Sequence, residues 1–133
     1  PDLQLSVDLA ILQAKTTLAD RFQSQLRSQT KSFIAKVGSS DIDSAVLNEV
    51  ERVTKNLVAD TDVSGYSMEK SFVLLKYNDE EASKILLNRL KKDRMLLAKL
   101  RSSSAYKELD ENVEKAKKVE ADEKKAMVDS YTR

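Results

Sequence analysis

The chain has 133 residues and a mass of 15.0 kDa, and 41% of its residues are hydrophobic while 34% are charged. Its 23 Lys and Arg nearly balance its 22 Asp and Glu, so no long-range field of one sign draws it to nucleic acid or to a membrane surface. The absence of Cys and His excludes thiol nucleophiles, disulfides, imidazole bases and the usual zinc sites.

The first part of the chain predicts a helix over residues 3–21, because apolar side chains recur there every three or four residues: Val7, Ile11, Ala14, Leu18 and Phe22. The next segment, residues 23–37, fits two patterns. Alternation of Ser and Thr with charged residues favours a half-exposed strand, whereas Phe22, Leu26, Thr30, Phe33 and Val37 fit a continuing helix. We favour the strand, because Ser and Thr dominate one face.

A break at Gly38 to Asp41 precedes a second predicted helix. Gly tolerates unusual backbone angles, and a Ser or Asp in this break can cap the next helix. The second helix follows the stripe Ile42, Val46, Val50, Val53 and Leu57 and ends near Ala59. Asp60-Thr61-Asp62 has the composition of a turn.

Residues 63–77, VSGYSMEKSFVLLKY, predict the sheet of the domain. Tyr, Phe and Val are frequent, and Val73 to Leu75 is continuously apolar, as in a buried strand. Two antiparallel strands need a short turn, and Met68 to Ser71 contains none of the usual turn residues. The segment is therefore one long strand, or it turns atypically at Glu69-Lys70, or loop residues are missing from this sequence.

The last part of the chain predicts long helices. Asn78 followed by Asp79-Glu80-Glu81 is typical of a helix start, with a capping side chain and acids near the positive end of the helix dipole. The apolar face runs to Ser102-Ser103-Ser104, which is either a kink or a second N-cap. Beyond it the apolar stripe becomes thin among Glu and Lys, which predicts an exposed helix, a spacer or an assembly surface.

These elements predict an α+β fold, with two helices packed on a small antiparallel sheet of two or three strands and a long charged C-terminal helix. Residues 1–101 form the compact domain and residues 102–133 the extended helix. An all-α bundle is the alternative.

No motif in the sequence predicts chemistry. The acids at 79–81 and at 110–111 are interpreted as caps and solvated charge, and Asp60-Thr61-Asp62 lacks the further ligands of a calcium loop. We therefore predict no catalytic residues, no cofactor and no metal. Acids interrupt or flank the basic clusters at 91–94 and 115–118, so nucleic acid is not expected as a partner. The predicted interface residues, for self-association, are Tyr66, Phe72, Tyr106, Leu109, Val113 and Ala116.

The order of these segments resembles a bacterial lipoprotein family named for a twenty-kilodalton outer-membrane antigen, which includes flagellar outer-membrane lipoproteins. The resemblance covers roughly residues 5 to 112. It depends most on Val63-Ser64-Gly65-Tyr66 after an amphipathic helix and on FVLLKY, residues 72–77, before the last helix. It implies a protein exported to the periplasm or outer membrane, lipidated on a cysteine upstream of Pro1, with a structural or assembly role.

We therefore expect a non-enzymatic envelope protein that forms homo-oligomers, with other envelope proteins as further partners. The alternative is a cytoplasmic helical adaptor that binds a partner through its C-terminal helix.

Overall fold

The computed structural model describes residues 2–40 and 42–132, and within them every regular element is a helix. In chain order the helices are α1 (Leu3–Gly38), α2 (Ser44–Thr54), α3 (Leu57–Asp60), α4 (Met68–Lys76), α5 (Asn78–Lys91), α6 (Arg94–Leu100) and α7 (Ser104–Thr132). The predicted α+β fold is therefore wrong, because no described residue lies in a strand, and the fold is all-α.

The polar segment at residues 23–37, predicted as a strand, lies inside α1. The helical pattern is the one that the structure uses, since all five of its members are buried: Phe22, Leu26, Thr30, Phe33 and Val37. The Thr30 hydroxyl donates to the backbone carbonyl of Leu26 at 2.8 Å, so a residue that favours strands satisfies its polar group within the helix. Tertiary burial of the apolar face outweighs the β propensity of Ser and Thr.

Most of the second predicted strand region, residues 66–77, forms α4, which runs from Met68 to Lys76. The Ser67 hydroxyl accepts from the backbone N–H of Lys70 at 3.2 Å and caps the start of this helix. The apolar run that resembled a buried strand is distributed around the helix, with Leu74 buried and Leu75 exposed. A single helix passes through Glu69-Lys70, so the connection that a hairpin requires is not needed.

Side-chain caps mark several of the remaining boundaries. Asp43 accepts from the N–H of Ala45 at 3.2 Å at the start of α2, and Asp93 accepts from Leu96 at 3.0 Å at the start of α6. Ser103 accepts from the backbone N–H of Tyr106 at 3.1 Å, so of the two alternatives for this serine run, a kink or a second N-cap, the structure has the N-cap. Asn78 does not cap α5 as predicted, since its side-chain oxygen is buried without a partner in the described chain. Asp41 lies outside the described residues.

One hydrophobic core connects α1 to the first half of α7. Its fully buried side chains come from six of the described helices, and they include Phe22, Leu26, Val50, Leu57, Leu86, Leu87, Leu90, Leu96, Leu100 and Val113. Helix α5 is central, and Gln29 of α1 holds it by donating to the carbonyl of Asp79 at 2.8 Å and accepting from the Ser83 hydroxyl at 2.6 Å. The last part of α7, residues 121–131, is exposed throughout.

Candidate functional site

The first half of α1 forms a helix that the core does not cover. No side chain between residues 2 and 14 is buried, and the large apolar residues among them are exposed: Leu3, Leu5, Val7, Leu9, Ile11 and Leu12. We call residues 3–18 the α1 arm, which is about 24 Å long at 1.5 Å per residue. Leu18, at the end of the arm, is half-buried and contacts the edge of the core. Apolar side chains at this density on an exposed helix are typical of a binding surface.

Helix α4 lies beside the α1 arm and encloses with it an apolar groove of about 690 Å³, the α1/α4 groove. Helix α1 lines it with apolar side chains spaced three or four residues apart, together with two alanines and two cations, and α4 adds one face. The lining residues include Val7, Ala10, Ile11, Ala14, Lys15, Leu18, Arg21, Met68, Phe72 and Leu75. Phe72 remains 63% exposed, so the groove is open to solvent.

Two charged residues of the arm, Lys15 and Asp8, lie seven residues apart on the same side of the helix. Lys15 lines the groove, and Asp8 lies two turns before it, where its carboxylate accepts from the Gln4 side chain at 3.0 Å. Neither side chain takes part in the ion pairs found within the described chain. Both charges are therefore available to a partner.

Five of the six predicted interface residues lie outside the α1/α4 groove. Tyr106, Leu109, Val113 and Ala116 all face inward from the first half of α7 and are buried inside the chain. Apolar residues are sparse in this segment, but the first half of α7 packs along the other helices and buries these four side chains. Tyr66 is half-buried against the core, whereas Phe72 lies in the α1/α4 groove.

Polar contacts hold α7 against α4 and α5 just before its exposed end. Lys84 donates to both carboxylate oxygens of Glu120 at 2.8 Å and to Glu81 at 3.1 Å. Partial burial acts to lower the pKa of Lys84, but the hydrogen bonds to Glu120 and Glu81 outweigh it and raise that pKa. Glu123 accepts from Tyr77 and from Lys76, and the two hydrogen bonds lower the pKa of its carboxyl.

Several of the acidic residues considered for chemistry have structural partners. Asp60 pairs with Arg89 at 3.3 Å, and Asp110 lies 3.9 Å from Lys91. The Asp62 carboxylate accepts from the hydroxyl and the N–H of Ser64, which lowers the pKa of Asp62 and closes the turn. Among the described residues, no three acidic side chains come together as a metal site.

Sequence reasoning missed the α1/α4 groove, although part of its signal was visible. The stripe of Val7, Ile11, Ala14 and Leu18 was identified and was assigned to packing inside the domain. A second set, Leu5, Leu9 and Leu12, lies on nearly the opposite face, since successive residues turn by about 100°. A helix with two apolar faces can bury only one of them against its own core, so the second face indicates a further binding surface.

In the part of the chain that the structure describes, no helix combines the length and the apolar character needed to span a bilayer. The resemblance to the lipoprotein family stays a prediction. The chain matches no protein-family model, no curated protein and no solved structure.

Proposed function

We propose that this protein is a non-enzymatic assembly protein that acts by self-association through the α1/α4 groove. The observation that supports the proposal is the size of the exposed apolar surface. Five large side chains of the groove, Val7, Ile11, Met68, Phe72 and Leu75, are open to solvent in the single chain. Full burial of a side chain of this kind is worth about 1.5–3 kcal/mol, so covering the groove supplies a substantial driving force.

The groove is suited to a helix more than to a small molecule. Its walls are two helices, its lining residues on α1 extend over about four turns from Val7 to Arg21, and most of them are apolar. Helix-in-groove recognition uses apolar anchors at intervals of three and four residues, and the arm itself carries such anchors. One chain thus supplies both the groove and a helix that fits it.

The test is the molar mass of the purified chain in solution, measured by analytical ultracentrifugation from low to high micromolar concentration. We expect reversible association of the wild-type chain. Phe72→Glu places a charge in the groove and should abolish it. A wild-type chain that stays monomeric at high micromolar concentration contradicts the proposal.

Met95→Glu is the matched control. Met95 lies on α6, is 76% exposed and lies outside the α1/α4 groove, so it receives the same new charge at a comparable surface position. We expect Met95→Glu to associate like wild type. Equal loss of association in both variants would show that added charge, rather than the groove, is responsible.

We further propose that the assembly belongs to the bacterial envelope, in the periplasm or at the outer membrane. This proposal rests on the sequence resemblance and is independent of the groove. Fractionation of the source cells, with intact-mass measurement of the native protein, tests it. A lipidated product in the outer-membrane fraction supports the location, and an unmodified protein in the cytosol contradicts it.

A further inference from the structure

We infer that the occupant of the α1/α4 groove is the α1 arm of a second copy, paired antiparallel about a two-fold axis. This inference rests on the proposed self-association and specifies its geometry. It follows from the register of the apolar and charged residues along the arm, combined with the place of α4 beside it.

The apolar residues of the arm that line the groove occupy the a and d positions of a seven-residue repeat. Ile11 and Leu18 take the a positions, and Val7 and Ala14 take the d positions. When a second arm runs in the opposite direction, each a residue meets a d residue. Ile11 then packs on Ala14 of the second copy, and Val7 packs on Leu18 of the second copy. Large side chains face small or medium ones in both central layers, which lets the helices approach closely.

The charges along the arm select this same register. Asp8 and Lys15 both occupy e positions, which flank the apolar seam on one side. In an antiparallel pair with the layers given above, Asp8 of each copy lies opposite Lys15 of the other, so the two-fold axis produces two equivalent ion pairs. In a parallel pair, e positions face g positions of the other helix, so Asp8 would lie near Leu3 and Lys15 near Ala10, and neither charge would have an ionic partner.

Helix α4 completes the binding site for the incoming arm. Met68, Phe72 and Leu75 form the far wall of the groove, so the second arm contacts α1 and α4 together. By symmetry, the first arm lies in the groove of the second copy. The pair therefore covers the exposed stripes of both arms and both α4 faces in a single closed interface, as expected for an isologous dimer.

Single-cysteine variants test the direction of pairing, because the chain contains no cysteine. We expect Val7→Cys mixed with Leu18→Cys to give a disulfide-linked dimer on mild oxidation, since these positions share a layer. Val7→Cys alone should remain unlinked, because antiparallel pairing separates the two thiols by roughly 16 Å along the helix axis. Efficient linking of Val7→Cys with itself would overturn the inference in favour of parallel arms.

Charge reversal tests the register independently of oxidation. Asp8→Lys and Lys15→Asp should each weaken the dimer by roughly tenfold, since attraction becomes repulsion at two symmetric, solvent-exposed pairs. The double variant Asp8→Lys/Lys15→Asp should restore wild-type affinity. Asp20→Lys is the control, because Asp20 is exposed on the opposite face of α1 and should leave the affinity unchanged.

The outcomes separate this inference from the proposed function. A monomeric wild-type chain removes both. If Phe72→Glu abolishes association but charge reversal does not affect it, the groove is still the assembly surface and the antiparallel pairing is wrong. The same conclusion follows if Val7→Cys forms a disulfide with itself. Linking of the mixed variants together with rescue by the double charge reversal supports the antiparallel pairing.

Discussion

At the scale of single residues, Lys84 is the most consequential charge within the fold. Its side chain is 17% exposed and lies between Glu81 and Glu120, which are 22% and 24% exposed. Replacing it with an uncharged residue leaves two carboxylates facing each other in a partly desolvated place. We expect Lys84→Met to lower the free energy of unfolding by about 1–2 kcal/mol, between the values for exposed and buried pairs, as measured by urea denaturation.

The ion pair of Lys36 with Glu108 provides the comparison, because both side chains are about half exposed and their N–O distance is 3.1 Å. Lys36→Met should cost about 0.5 kcal/mol or less. An equal loss in both variants would contradict the role given to partial burial at Lys84.

The ion pairs of Lys84 also make the stability of the fold depend on pH in the alkaline range. The pKa of Lys84 is raised above its ordinary value of 10.5 in the folded chain, so folding favours the charged form. Its contribution to stability is therefore complete below that ordinary value and is lost as the pH rises through the raised pKa of the folded state. Lys84→Met should flatten this part of the stability profile.

At the scale of elements, α1 combines a core helix and an exposed arm. Leu26 has no exposed surface, whereas Leu9 is 52% exposed on the arm, away from the α1/α4 groove. We expect Leu26→Ala to lower the free energy of unfolding by about 3 kcal/mol through lost contacts and a cavity. Leu9→Ala should change it by less than about 0.5 kcal/mol. Denaturation at low protein concentration measures both, and a large loss for Leu9→Ala would show that the arm packs within one chain.

The element boundaries show where sequence patterns were sufficient. The apolar spacing of residues 3–21 predicted a helix, and α1 contains that segment. The same rule applied to 22, 26, 30, 33 and 37 describes the rest of α1, but local Ser and Thr content also suited a strand. The intrinsic preference of a residue for helix or strand is less than about 1 kcal/mol, so burial against α5 decided that residues 22–37 are helical.

At the scale of the whole molecule, stability should depend on protein concentration. If unfolding is coupled to dissociation of the paired arms, mass action stabilises the folded dimer as concentration rises. We expect the wild-type Tm to rise by roughly 2–5 °C over about a hundredfold increase in concentration. Ile11→Glu should remove the increase, whereas Leu9→Glu, on the opposite face of the arm, should retain it. A Tm of wild type that is independent of concentration, measured by calorimetry, contradicts the coupling.

The sequence by itself determined the helical stripes and the even balance of charge, because each depends on residue spacing or composition. The tertiary structure alone decided which stripes are core and which are surface. Val113 and Val7 belong to similar patterns in sequence, yet one is buried under other helices and the other lines an open groove. The physical reason is that an apolar face specifies only that something must cover it, and only the packing of the other helices shows whether the chain covers that face itself.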